Sequence, residues 1–129
     1  MKKTIFFTMI IICFSQLLTA QQKEKEQTSP VMKMLASHSW VKTHEQLGDI
    51  KLSFKKDLTY KVKIVSRNDS ITGTFSLRGD LLTFETDSNC TMKAEYTISV
   101  TKETANFTKK EDPCNGRNEI TPGTWKASK

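Results

Sequence analysis

From Trp40 onward apolar and polar residues alternate with a period of two, and no other property of the chain limits its possible folds as tightly. Ile50-Lys51-Leu52-Ser53-Phe54-Lys55 alternates strictly, and Tyr60-Lys61-Val62-Lys63-Ile64 resumes the pattern after a turn at Lys56-Asp57. The same reading covers Ile71 to Leu77, Leu81 to Thr86, Met92 to Val100, Thr104 to Lys109 and a last strand ending near Trp125. Turn residues separate these stretches at Asn68-Asp69, Gly79-Asp80, Asp87-Ser88-Asn89 and Thr101 to Glu103. With a strand opening at Trp40, the pattern predicts an all-β fold: a small antiparallel up-and-down barrel of about eight strands, whose closure removes the edges an open sheet would expose. Helical stretches do not alternate with the strands, which excludes a parallel α/β sheet.

Upstream of Trp40 the character changes. Lys2 and Lys3 precede an apolar run from Ile5 to Phe14 that is broken only by Thr8, and small or polar residues continue to Gln21. This is the layout of a secretory signal peptide over residues 1–20, cleaved near Ala20. The run is too short to span a bilayer, so the expectation is a secreted or periplasmic protein with no membrane span. Lipid anchoring through Cys13 needs a small residue before the cysteine, and Ile12 does not supply one. Residues 21–28 (QQKEKEQT) hold no apolar side chain to set against the entropy of ordering, and are expected to form a disordered charged tail. Ser29-Pro30 then offers an N-cap and a proline at the first helical position, with Val31, Met34 and Leu35 on one face. One short helix is therefore expected to open a domain covering residues 29–129, its apolar stripe either packed on the domain as a lid or offered to a partner.

Of three cysteines, Cys13 leaves with the signal peptide, so Cys90 and Cys114 remain as a disulfide pair suited to an oxidising compartment. Loss of Lys2 and Lys3 lowers the formal net charge from +6 to +4. That mild excess, with arginine only at positions 67, 78 and 117, gives no nucleic-acid footprint.

Catalytic patterns are missing. His44-Glu45 opens a zinc-protease helix motif, but Gly48 stands where the second histidine belongs. His38, His44, Cys90 and Cys114 lack paired ligand spacing, so no metal is expected. No nucleophile elbow or phosphate-binding glycine loop exists, and the acids are scattered over strand exteriors and turns. The chain reads as a non-enzyme without a cofactor.

Two features remain open. Lys51, Lys55, Lys56, Lys61 and Lys63 fall largely on the outside of two neighbouring strands, either as a solvated face that discourages edge pairing or as an attraction for an anionic surface. The inward phase (Leu52, Phe54, Tyr60, Val62, Ile64, Phe75, Leu77, Phe84, Tyr96, Ile98, Val100 and Phe107) either fills a small barrel or lines a cup holding one small ligand. In the second case Phe54, Tyr60, Val62, Phe75 and Tyr96 are the candidate lining. Asn68, Asn89 and Asn106 head glycosylation sequons, and Ser70 lies in a further candidate glycan-acceptor triplet.

The order of a short helix, Ser39-Trp40, Leu52-Ser53-Phe54 with Asp57-Leu58-Thr59-Tyr60, then Thr72-Gly73-Thr74-Phe75 and Leu77-Arg78-Gly79-Asp80-Leu81, resembles the small lipocalin-like domains exported by Gram-negative bacteria. The stretch Asp112 to Arg117 and Gly123-Thr124-Trp125 extends the resemblance. One departure is His38, which stands where lipocalins carry a glycine two residues before the first tryptophan. The resemblance implies a calycin-type barrel that binds a small apolar or amphipathic ligand. It also implies a late basic residue, here Arg117, packed by cation–π contact on Trp40 or Trp125. The competing expectation is a protein-interaction module, such as a hydrolase inhibitor working through its loops and N-terminal tail.

Overall fold

The structure is a computed structural model and describes residues 29–129. The signal-peptide, tail and Cys13 readings lie outside the described residues. Ser29 Oγ accepts from the Met32 amide at 3.2 Å and caps helix α1 (Pro30–Ser37), which begins on proline. Strands β1 (Ser39–His44), β2 (Gly48–Phe54) and β3 (Thr59–Ile64) come next, then a 3₁₀ turn at Val65–Arg67. Beyond it lie β4 (Asp69–Arg78), β5 (Leu81–Asp87), β6 (Ala94–Val100), β7 (Thr104–Glu111), a short helix α2 (Asn115–Ile120) and β8 (Gly123–Ser128).

Each strand pairs antiparallel with the next, and β8 returns to β1, so the described chain is an eight-stranded closed barrel. The expected all-β architecture is present. Its boundaries differ in places: β4 starts at Asp69, β6 at Ala94, and β8 runs past Trp125 to Ser128. Helix α2 has no counterpart in the sequence pattern, because Asn-Gly at its start carries no helical signal.

Helix α1 closes one end. Met32 and Leu35 are fully buried in the core, and Trp40 Nε1 donates to the Leu35 carbonyl at 2.9 Å, tying the helix to the first strand. Phe54 is buried at the centre of an aromatic cluster, with ring centroids 5.0 Å from Phe75, 6.4 Å from Phe84 and 6.2 Å from Phe107. Aromatic rings from four strands thus fill this half of the interior. The inward residues expected from alternation are buried, except that Val62 and Val100 are half-buried.

Two register shifts break the alternation. Thr74 pairs with Thr86 but Phe75 pairs with Phe84, so Glu85 is an inserted residue in β5. Likewise Glu95 pairs with Glu111 but Tyr96 pairs with Lys109, leaving Lys110 as the insertion in β7. One extra residue exchanges the inner and outer faces of everything beyond it. Asp87 and, past the end of β7, Asp112 therefore turn inward, at the end of the barrel opposite α1.

Candidate functional site: the cavity at the open end

The half of the barrel away from α1 contains a cavity of about 540 Å³. Leu52, Val62, Ile64 and Ile71 form an apolar wall from β2, β3 and β4, with Phe84 and Trp125 also lining the space. Residues of the β5–β6 loop and of α2 bound the mouth, among them Met92 and Ile120. The volume lies within the range of sites for small organic ligands.

The cavity also borders a buried ionic cluster. Arg117 Nη1 lies 3.3 Å from Asp87 Oδ2 and its Nε lies 3.1 Å from Asp112 Oδ2, while the three side chains are 7%, 5% and 0% exposed respectively. Arg117 Nη2 also donates to the Met92 carbonyl at 2.7 Å and to Asp112 Oδ1 at 3.1 Å. Asp87 Oδ1 accepts from the Asn89 and Cys90 amides at 2.7 and 2.6 Å, and Asp112 Oδ1 accepts from the Cys114 amide at 3.0 Å. Tyr60 and Tyr96 complete the set by donating their hydroxyls to Asp87 (3.0 Å) and Asp112 (2.5 Å).

Burial raises the pKa of both phenols well above the ordinary tyrosine value, and the carboxylates they donate to raise it further. They remain donors at neutral pH. Burial opposes the Arg117 charge, but the Asp112 carboxylate more than offsets this and raises its pKa.

The disulfide reinforces the cluster. Cys90 and Cys114 are joined, with Cα atoms 6.3 Å apart, and each comes within three residues after its inward aspartate. The bridge and the Asp87–Arg117–Asp112 cluster together hold the β5–β6 loop and α2 against each other at the mouth.

Of the five side chains expected to line a cup, Tyr60 and Val62 do so. Phe54 and Phe75 instead belong to the filled half, and Tyr96 is fully buried with its hydroxyl on Asp112. The expected packing of Arg117 on Trp40 or Trp125 is corrected: its guanidinium lies 5.7 Å from the Phe84 ring centroid. The cation on Trp125 is Lys42, 5.6 Å from the ring centroid, whose Nζ donates to the Ile120 (3.1 Å) and Pro122 carbonyls. Burial holds the Lys42 pKa below the usual lysine value. Trp40 is neighboured by His38, with ring centroids 5.7 Å apart.

Asp87, Asp112 and Lys42 are the site residues that sequence reasoning misses. Lys42 is within its reach, since it shares the inward phase of Trp40 in β1. The aspartates are not, because their orientation depends on the two inserted residues. His44 accepts from the Gln46 and Leu47 amides at Nδ1, at 3.2 and 3.3 Å, and faces Glu119 at 3.7 Å. Among the described residues no three His, Cys, Asp or Glu side chains converge on a point suited to a metal ion, and no helix is long and apolar enough to cross a membrane. Asn68, Ser70, Asn89 and Asn106 are all exposed. The chain matches no protein-family model, no curated protein and no solved structure.

Proposed function

We propose that this protein is an exported, lipocalin-like binding protein that holds one small apolar or amphipathic ligand in the open half of its barrel. The observation that carries the reading is the cavity of about 540 Å³, whose lining combines the apolar Leu52, Val62, Ile64 and Ile71 with the polar Tyr60, Asp87 and Arg117. A ligand with an apolar body and a polar end fits that combination. Binding without chemistry is supported by the state of the polar groups: Asp87, Asp112 and Arg117 are engaged with one another, with two tyrosines and with main-chain amides, so they shape and rigidify a wall. Export is supported by the charged and apolar layout of residues 1–20 and by the Cys90–Cys114 disulfide, which an oxidising compartment such as a periplasm preserves.

Native mass spectrometry of protein recovered from its own source tests the reading. A mature chain carrying one additional mass of small-molecule size, released on denaturation, is the expected result. Recovery only in complex with another protein, with the barrel itself empty, would favour the interaction-module reading instead.

A further inference from the structure

The outer wall of β8, β1, β2 and β3 carries lysines in an arrangement that the cavity does not use. Val41 pairs with Lys126 on one side and Lys51 on the other, and Lys51 pairs directly with Lys63. A single row across four strands therefore reads Lys126, Val41, Lys51, Lys63. Lys61 lies next along β3, opposite Ser53, and exposed Lys55 and Lys56 extend the patch into the β2–β3 turn. Among the described residues Lys51, Lys61, Lys63 and Lys126 take part in no ion pair. Acids are few here: β1, β3 and β8 contain none, Asp49 of β2 accepts from Thr43 Oγ1 at 2.7 Å, and Asp57 in the β2–β3 turn lies beside Lys55 and accepts from Thr59.

Like charges directly opposite on paired strands are destabilising, and any polar residue would satisfy the outward phase at positions 51 and 63. Protection of a sheet edge does not account for them, because the barrel is closed and these strands have no free edge. What sets this wall apart is the register, which brings Lys51 directly opposite Lys63 across the β2–β3 ladder.

We infer that this wall is a binding surface for an acidic polysaccharide, whose linear chain of negative groups tracks the row Lys126, Lys51, Lys63 and the adjacent Lys61. Neighbouring strands stand about 4.8 Å apart, so the row offers cationic side chains rooted at intervals of about 5 and 10 Å, an evenly stepped track for a flexible polyanion. A bilayer surface is favoured by apolar side chains that insert beside the cations, but among the described residues the large exposed apolar side chains, Val65 and Met92, lie at the open end and not on this wall. Single-stranded nucleic acid calls for exposed aromatic platforms, which the wall lacks.

Titration of the ¹⁵N-labelled full chain with a heparin hexasaccharide at 0.15 M NaCl tests the proposal. The expected result is amide shifts centred on β1, β2, β3 and β8. Affinity should fall at least tenfold in the double variant Lys51→Ser, Lys63→Ser, whose melting temperature is unchanged or raised. The variant Lys109→Ser, Lys110→Ser loses the same charge from β7 and should bind within twofold of the parent. Equal loss in both variants would overturn the proposal as a net-charge effect. So would shifts mapping elsewhere, or tighter binding to vesicles of anionic phospholipid or to a single-stranded oligonucleotide. If the serine pair at 51 and 63 fails to fold, Lys61→Ala with Lys126→Ala carries the same expectation.

Discussion

A Cβ atom placed on Gly73 would lie 2.7 Å from Cε1 of Tyr60, so the glycine of β4 is the hollow in which the tyrosine ring rests. The same atom would also press on the Thr86 carbonyl, which is main chain and has little room to retreat. Tyr60 pairs directly with Gly73 across the β3–β4 ladder, and this position lets its hydroxyl reach Asp87.

Gly73→Ala is expected to cost roughly 1–3 kcal/mol, the range for forcing atoms into a packed site. Gly116→Ala serves as the control, since nothing lies within 4 Å of the added methyl. Thermal or urea unfolding of both variants checks the contrast, and equal effects would contradict it.

Arg117 neutralises two buried acids, and removing one partner of a buried ionic group leaves an uncompensated charge. Arg117→Met should therefore destabilise the fold by about 3–5 kcal/mol. Adding Asp112→Asn to that variant should recover part of the loss. Without any recovery in the double variant, the carboxylate would not be the origin of the cost.

The chain has two tyrosines, Tyr60 and Tyr96, so tyrosinate absorbance reads this cluster alone. Both folded pKa values lie above the unfolded value near 10.0. A raised folded pKa gives stability that is complete below the unfolded pKa and is lost as pH rises towards the folded pKa. Stability should accordingly be insensitive to these groups at neutral pH and fall above about pH 10. Tyrosinate absorbance should appear together with loss of structure. A gradual titration centred near pH 10 in the folded protein would show that the hydroxyls are not held by Asp87 and Asp112.

The disulfide gives a further kind of expectation. Cys114→Ser should lower stability by about 2–4 kcal/mol, and the unreduced protein should yield no alkylated thiol at Cys90 or Cys114. Because Asp87 and Asp112 flank the bridged segments, the variant should also loosen the mouth. Faster amide exchange over residues 88–93 and 113–120 would report this, and exchange confined to the cysteines themselves would not fit.

Alternation alone places Ile50 to Phe54 and Tyr60 to Ile64 in adjacent strands and sets their inward faces, which is why the barrel is readable from the sequence. Positions downstream of an insertion escape it. Glu85 and Lys110 are ordinary polar residues in sequence, yet each reverses the phase of the chain beyond it, and aspartates that read as surface acids become the inner wall. Depth is equally illegible. Phe54 and Val62 share an inward phase, but Phe54 lies in the filled half near α1 while Val62 faces the cavity, a distinction set by the stagger of strands around a closed barrel. Resemblance assigns Arg117 to Trp40 or Trp125, whereas the fold sets Arg117 over Phe84 and brings Lys42 to Trp125 from the first strand.

The most direct measurement of ligand binding in the barrel is a titration of the protein with an apolar fluorescent probe, repeated in Val62→Trp, which fills the cavity from its apolar wall. A binding cavity predicts one probe bound per chain, displacement by a lipid-like competitor, and loss of binding in the variant while its melting temperature shows a folded barrel. Absence of stoichiometric binding to the parent, or equal binding to the parent and to Val62→Trp, would contradict it.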